Sequence, residues 1–171
     1  MPPVIVAMAK HPATKKFDLS SVISVGSGAA PLGREVSEEF EKLWPDGRVD
    51  IKQGWGMTEL TCAATTSHPA ERNENSSVGE LLANCEAKIV QDDEGKIEVP
   101  RGERGEIWIR GPVVMKGYWR KPEATRETLT VDGWLKTGDI GYVDEKNLFY
   151  IVDRKKVCAA SKSRYMETDI M

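Results

Sequence analysis

The chain has 171 residues, 40% of them hydrophobic and 30% charged, with 24 Lys and Arg set against 27 Asp and Glu for a formal charge of −3. That length suits one domain, or one domain with part of another, and is enough to bury a core; the mildly acidic balance argues against a nucleic-acid footprint, which needs a basic excess. No apolar run approaches the roughly 20 residues that cross a bilayer, and three cysteines without paired spacing, Cys62, Cys85 and Cys158, suit a reducing compartment better than a disulfide framework.

The opening MPPVIVAMAKHP is briefly apolar but lacks a basic leader and a cleavage site, and Pro2 and Pro3 stand where a signal helix would begin. Residues 18 to 60 read as strand, turn, helix, strand. SVISVGSGAAPLG is a β-branched run broken by small residues, REVSEEFEKLW spaces Val36, Phe40, Leu43 and Trp44 along one helical face, and VDIKQGWGMTEL is a second strand entering a turn. Such a unit is the minimal α/β element, in which ligands gather at the carboxyl ends of strands.

SHPAERNENSS, polar and aperiodic, is the expected connector. From about residue 77 the pattern turns to short alternating strands: EAKIVQDDEGKIEVP, GERGEIWIRGP and GYVDEKNLFYIVD. Asp93, Glu94 and Gly95 mark a hairpin, and Ile107 and Ile109 point one way while Glu106, Trp108 and Arg110 point the other. GPVVMKGYW is expected to close this half by packing, and Cys85 to be a small buried hydrophobe. The expected fold class is therefore α/β: part of a mixed sheet-and-helix layer over residues 1–66, then a small antiparallel β-barrel-like subdomain over 67–156, then a tail of different character over 157–171.

QGWGMTE, residues 53–59, carries the chemistry. Gly54 and Gly56 let the backbone approach a ligand or take positive φ, and Trp55 between them offers a flat face on which a base gains about 1–3 kcal/mol by stacking. Thr58 offers a hydroxyl to a phosphate, and Glu59 an oxygen to Mg²⁺, which takes few carboxylates plus substrate phosphates. A blander reading has Thr58 capping a helix, Glu59 favouring its first turn and Trp55 filling the core. His11 and His68 are isolated from partners at ligand spacing and suggest neither a metal site nor a hydrolytic triad.

SGAAPLG, QGWGMTE, GEIWIRGP, GWLKTGD and YIVDRKK occur in an order that resembles the adenylate-forming superfamily, most closely the acyl-CoA synthetases and plant 4-coumarate:CoA ligases. The resemblance covers residues 1–156 and implies a two-step ligation: a carboxylate is joined to the α-phosphorus of ATP with loss of pyrophosphate, and the coenzyme A thiol then attacks the acyl adenylate. It implies ATP/AMP, Mg²⁺ and coenzyme A as cofactors or co-substrates, and a small carboxylic acid as partner. Thr58 and Glu59 resemble the catalytic pair, Thr58 at the α-phosphate and Glu59 on the metal. Ala29 resembles the position that borders both adenine and the acyl group, and Gly28, with Gly54 and Gly56, lets a flat acyl group slide close to the backbone. Gln53, Gly54, Trp55 and Gly56 resemble the adenine and acyl wall, with Trp55 in place of the family's commoner tyrosine. Cys62, Ala63 and Thr66, with Thr61, would line or neighbour the acyl tunnel. Asp139 resembles the acid that accepts the ribose hydroxyls; a turn aspartate is the alternative. Arg154 resembles the arginine on the ribose and Lys156 the hinge, where RKK alone would read as a solvated basic cluster.

The sequence contains no G-x-x-x-x-G-K-[ST] loop to cradle the outer phosphates, and the resemblance places the family's phosphate loop upstream and its catalytic lysine downstream. The chain is thus expected to be an internal piece of a ligase, inactive alone, with a nucleotide-binding remnant as the alternative. The tail after Lys156 departs from the family. Val157 and Cys158 can be encoded by a GTATGT-like intron donor, so translated intron is the expectation there. An exposed strand edge is expected to make the chain poorly soluble. The resemblance implies a cytoplasmic or peroxisomal parent, and the final TDIM is no peroxisomal address.

Overall fold

The structure is a computed structural model that describes residues 2–30, 32–68, 71–72 and 76–155. The tail expectations and Lys156 lie outside the described residues. Helix α1, Pro2–Lys10, starts on proline, whose fixed φ suits a first turn. Strand β1, Val25–Ser27, is followed by α2, Arg34–Glu41, and then by β2, Ile51–Trp55, which pairs with β1 in parallel, Ser27 opposite Gln53. The helical face expected from the sequence is the one buried: Phe40 and Trp44 meet edge to face at 5.4 Å and pack with Ile5, Leu32, Val49 and Ile51. Helix α2 ends sooner than the periodicity suggested, and a turn carries Trp44 inward so that its indole N–H donates to the Leu19 carbonyl at 3.1 Å.

Past β2 the chain makes a single helical turn, Thr58–Leu60, then returns as β3, Thr65–Thr66, antiparallel to β2. Strand β4, Glu80–Leu81, completes the first sheet beside β3. The Thr65 hydroxyl, fully buried, accepts from the Trp55 amide and donates to the Val78 carbonyl. A second sheet holds β5, Glu86–Val90, β6, Gly105–Arg110, β7, Leu135–Val143, and β8, Phe149–Arg154, antiparallel and in chain order. The expected hairpin is present: Gly95 turns with positive φ where a Cβ would strike the Trp108 ring, and Asp92 accepts from the amides of Lys96 and Ile97.

The second sheet is not a barrel. Its outer strands β5 and β8 do not pair among the described residues, so it stays open. The physical reason lies in what covers its apolar face. Ile107, Ile109, Leu135 and Phe149 pack against Trp55, Leu60, Ala64 and Val78 of the first half, so the sheet buries that face without closing on itself. One core therefore spans the boundary at residue 66. The halves are also stitched by backbone: the Val78 amide donates to Phe149 and the Phe149 amide to Gly79, both at 2.9 Å. The opposite face of β6 carries Trp108, which packs with Trp134 and Val90 under the ammonium groups of Lys88 and Lys136. Helix α3, Pro122–Thr128, lies beside β7.

Gly79 stands at the seam, with φ +86° and backbone of Thr66 only 2.1 Å from where a Cβ would sit. Gly102 shares the left-handed conformation but faces open space. Gly102→Ala should cost the backbone term of about 1–2 kcal/mol. Gly79→Ala should cost clearly more, since neighbouring backbone must also shift. Urea unfolding of the two variants checks the order; equal losses would remove the seam from the stability argument.

Candidate functional site

Strand β2 builds the site because its alternation sends Ile51, Gln53 and Trp55 inward. Gln53 is a buried strut: its amide oxygen accepts from the Leu32 amide at 3.3 Å, and its amide nitrogen donates to the Leu32 carbonyl at 3.4 Å. This ties SGAAPLG to QGWGMTE. Gly28 then lies against Gly54, whose carbonyl would be 3.4 Å from a Cβ at position 28, and Ala29 follows, exposed and at φ 70°. Beside them the Ser27 hydroxyl is buried with no hydrogen-bond partner among the described residues.

The glycines of the motif serve the chain itself. Neither Gly54 nor Gly56 has positive φ. A Cβ at Gly56 would sit 2.0 Å from the Cys62 carbonyl oxygen, and one at Gly54 3.0 Å from that of Thr65. The close approach that these bare positions permit is that of the returning loop, which turns through Thr61 and Cys62 at φ 52° and 103°. Cys62 and Thr66 are exposed and Ala63 half-buried along this loop. The Thr61 hydroxyl donates to the Val113 carbonyl at 2.9 Å, fastening the loop to the second half.

Thr58 is exposed and caps nothing, since the capping position of its turn is Met57. Glu59 is half-buried; its carbonyl accepts from the Met115 amide, and its carboxylate accepts from the Tyr118 hydroxyl at 2.7 Å. The bond to Glu59, with burial adding to it, pushes the Tyr118 phenol above the ordinary tyrosine range.

Asp139 lies on the inward row of β7 with Leu135 and Thr137, and is only 6% exposed. Its Oδ2 accepts from the Trp55 indole N–H at 2.8 Å and its Oδ1 from Arg154 Nε at 2.8 Å. Arg154 stands directly across the β7–β8 ladder from Asp139. Trp55, 8% exposed, has its ring in the shared core, so what it presents to the site is the N–H more than a free face. Next to this pair, Lys155 binds Glu106 at 2.9 Å and also Asp93, while Glu106 Oε1 accepts from the Gly138 amide at 3.0 Å.

The structure thus brings together Gln53, Gly54 and Trp55 on β2 with Gly28, Ala29 and Gly56 just past the ends of β1 and β2, and joins them to Asp139 and Arg154 on the second sheet. Thr58 and Glu59 follow directly from β2. Three residues beside the site were not singled out for it by the sequence reading: Tyr118, which contacts Glu59, and the pair Lys155 and Glu106. Glu106 was visible only as an outward strand residue, and Tyr118 only as a packing aromatic. An open depression of about 490 Å³ lined by Phe17, Leu19, Trp44 and Arg48, among others, contains none of the motif residues; motif convergence, not cavity size, defines the site.

The chain belongs to the AMP-binding enzyme family, whose model matches residues 1–119. It is 49% identical over 156 residues to 4-coumarate--CoA ligase-like 9 of Arabidopsis thaliana, covering 91% of this chain and 27% of that protein. To 4-coumarate--CoA ligase 1 of Petroselinum crispum it is 45% identical over 161 residues, covering 91% and 29%. Among solved structures, the anthranilate CoA ligase AuaEII in complex with anthranoyl-AMP matches with TM-score 0.80 at 28% identity over 91% of this chain and 29% of that one. The long-chain-fatty-acid-CoA ligase FadD1 of Archaeoglobus fulgidus matches with TM-score 0.79 at 29% identity, covering 90% and 33%. The chain therefore spans a little over a quarter of the curated relatives it matches.

The Tyr118–Glu59 contact has a pH signature. A raised phenol pKa means that the folded state holds the proton more tightly. The associated stability is complete below the unfolded tyrosine value of about 10 and is lost as pH rises through the folded value. In phenolate absorbance titrations differenced against Tyr118→Phe, Tyr118 should ionise at higher pH in the wild type than in Glu59→Gln. Coincident curves would show that the hydroxyl does not rest on Glu59.

Proposed function

We propose that this chain forms the nucleotide-facing part of an ATP-dependent carboxylate:CoA ligase. The observation that carries the reading is the buried Asp139 carboxylate, brought against the QGWGMTE strand from 84 positions away. In this reading the ribose diol donates to Asp139, whose two oxygens keep free lone pairs after serving Trp55 and Arg154. Thr58 Oγ faces the α-phosphate. The carboxylate of the acid attacks the α-phosphorus and the bond to pyrophosphate breaks. The thiolate of coenzyme A then attacks the acyl carbonyl, and AMP leaves with the bonding pair.

Glu59 is the Mg²⁺ ligand of this reading. A single half-buried carboxylate beside a hydroxyl is a hard-oxygen set that suits a cation taking most of its ligands from phosphate and water. Bound there, the ion would neutralise phosphate charge during transfer. Tyr118 holds the Glu59 carboxylate in orientation. Gly28 and Ala29, followed by Cys62, Ala63 and Thr66, border the acyl group, and Lys156 belongs to the hinge. The acid is aromatic in this proposal, in keeping with the coumarate and anthranilate ligases among the similar proteins.

Because the chain spans a quarter of those relatives, ligation is proposed for a longer protein and nucleotide binding for this chain. Calorimetric titration of the 171-residue chain with ATP and Mg²⁺ should show saturable binding without pyrophosphate release. Asp139→Ala should weaken that binding about tenfold to a hundredfold, the scale of hydrogen bonds to a charged acceptor. Equal affinities, with the variant's fold verified by circular dichroism, would remove Asp139 from the nucleotide site.

A further inference from the structure

We infer that Glu106 is a positioning residue of this site: its one carboxylate grips the residue before Asp139 and the residue after Arg154, and so holds that pair in register. The inference rests on the proposed role of Asp139 toward the ribose. Glu106 itself has no part in the contacts proposed for the nucleotide.

The need for such a residue arises in β7. Glu106 pairs with Ile140 and Trp108 with Lys136, so Thr137, Gly138 and Asp139 together face the single Ile107. A bulge of this kind takes backbone groups out of the ladder and re-aims a side chain. Side chains satisfy the groups it releases. The Asp139 amide donates to Thr137 Oγ1 at 3.1 Å, and the Thr137 hydroxyl donates to the Ile107 carbonyl at 2.6 Å. The Gly138 amide, at φ 72°, donates to Glu106 Oε1 at 3.0 Å. A second irregularity, between Ile140 and Gly141, interrupts the pairing of β7 with β8 just beyond Asp139. The Asp139–Arg154 pair is bracketed by two departures from the ladder, and register alone does not place it.

Glu106 supplies what the ladder lacks. It is 6% exposed, although the alternation of β6 turns it away from the main core, and a carboxylate so buried needs partners for both oxygens. Its Oε2 accepts from Lys155 Nζ at 2.9 Å. Lys155 also binds Asp93, in the turn after β5, but that carboxylate is 80% exposed and such a pair holds little by itself. One oxygen of Glu106 thus anchors the bulge that aims Asp139, and the other anchors the end of β8 that carries Arg154. Without Glu106 the Gly138 amide loses its acceptor and Lys155 keeps only the exposed pair.

The test measures dissociation constants of the 171-residue chain for ATP and for 2′,3′-dideoxyATP, which lacks both ribose hydroxyls. Their ratio is the readout, because a loss of folded protein weakens both nucleotides alike. Wild type should prefer ATP by about tenfold or more, the scale of hydrogen bonding to a charged acceptor. Glu106→Ala should reduce that preference to about twofold or less, since hydrogen bonds weaken steeply once they leave alignment. Glu106→Gln, whose amide oxygen can still accept from Gly138, should restore most of it. Should Glu106→Ala fold poorly, Lys155→Met breaks the other arm at a half-exposed side chain and should lower the preference by about threefold.

An unchanged ratio in folded Glu106→Ala, or in Lys155→Met where that variant stands in, would overturn the inference and leave Glu106 a role in stability alone. A wild-type chain that binds both nucleotides alike, or neither, would instead overturn the ribose assignment of Asp139, and the inference with it.

Discussion

A carboxylate that is almost wholly buried must be paired, because leaving one ion of a buried pair uncompensated costs about 3–5 kcal/mol. Asp139 meets that condition with two donors from two different strands, Trp55 on β2 and Arg154 on β8. The pairing is possible only if β2, β7 and β8 hold their spacing, and the shared core of Trp55, Leu60, Ile107, Leu135 and Phe149 provides it. Fold and site are therefore one problem here. The apolar contacts that keep the second sheet open also keep the carboxylate satisfied, and the carboxylate in turn satisfies the one polar atom of the largest side chain in that cluster.

Much of this was readable in the sequence because it is local. The face of α2 follows from the spacing of Val36, Phe40, Leu43 and Trp44, and the two faces of β6 follow from alternation, with Ile107 and Ile109 in one cluster and Trp108 in another. The hairpin at Gly95 follows from turn chemistry. Helices α1 and α3 did not stand out, since each begins on a proline, at Pro2 and Pro122, and proline reads as a breaker unless its first-turn role is weighed. The barrel expectation failed because alternation reports that a strand has one buried face but not what covers it.

The site divides in the same way. Asp139 and Arg154 were named from motifs, yet their bond to each other and to Trp55 depends on register and on a contact across 84 positions, for which no periodicity exists. Tyr118 lies 59 positions from Glu59, and nothing in GPVVMKGYW announces a hydroxyl aimed at a carboxylate. Gly56 shows the converse limit. Its bareness was legible, but the object approaching it is the Cys62 carbonyl of its own loop.

The five tryptophans are not equivalent in their surroundings. Four are buried, while Trp119 is 83% exposed, next in the chain to the tyrosine that grips Glu59. Aqueous quenchers such as acrylamide will reach Trp119 first and most completely, and its emission lies to the red of the other four. Spectrally, then, the molecule carries an intrinsic optical gauge one residue from the tyrosine that contacts its candidate metal ligand, with the remaining indoles serving as an internal reference for the integrity of the core.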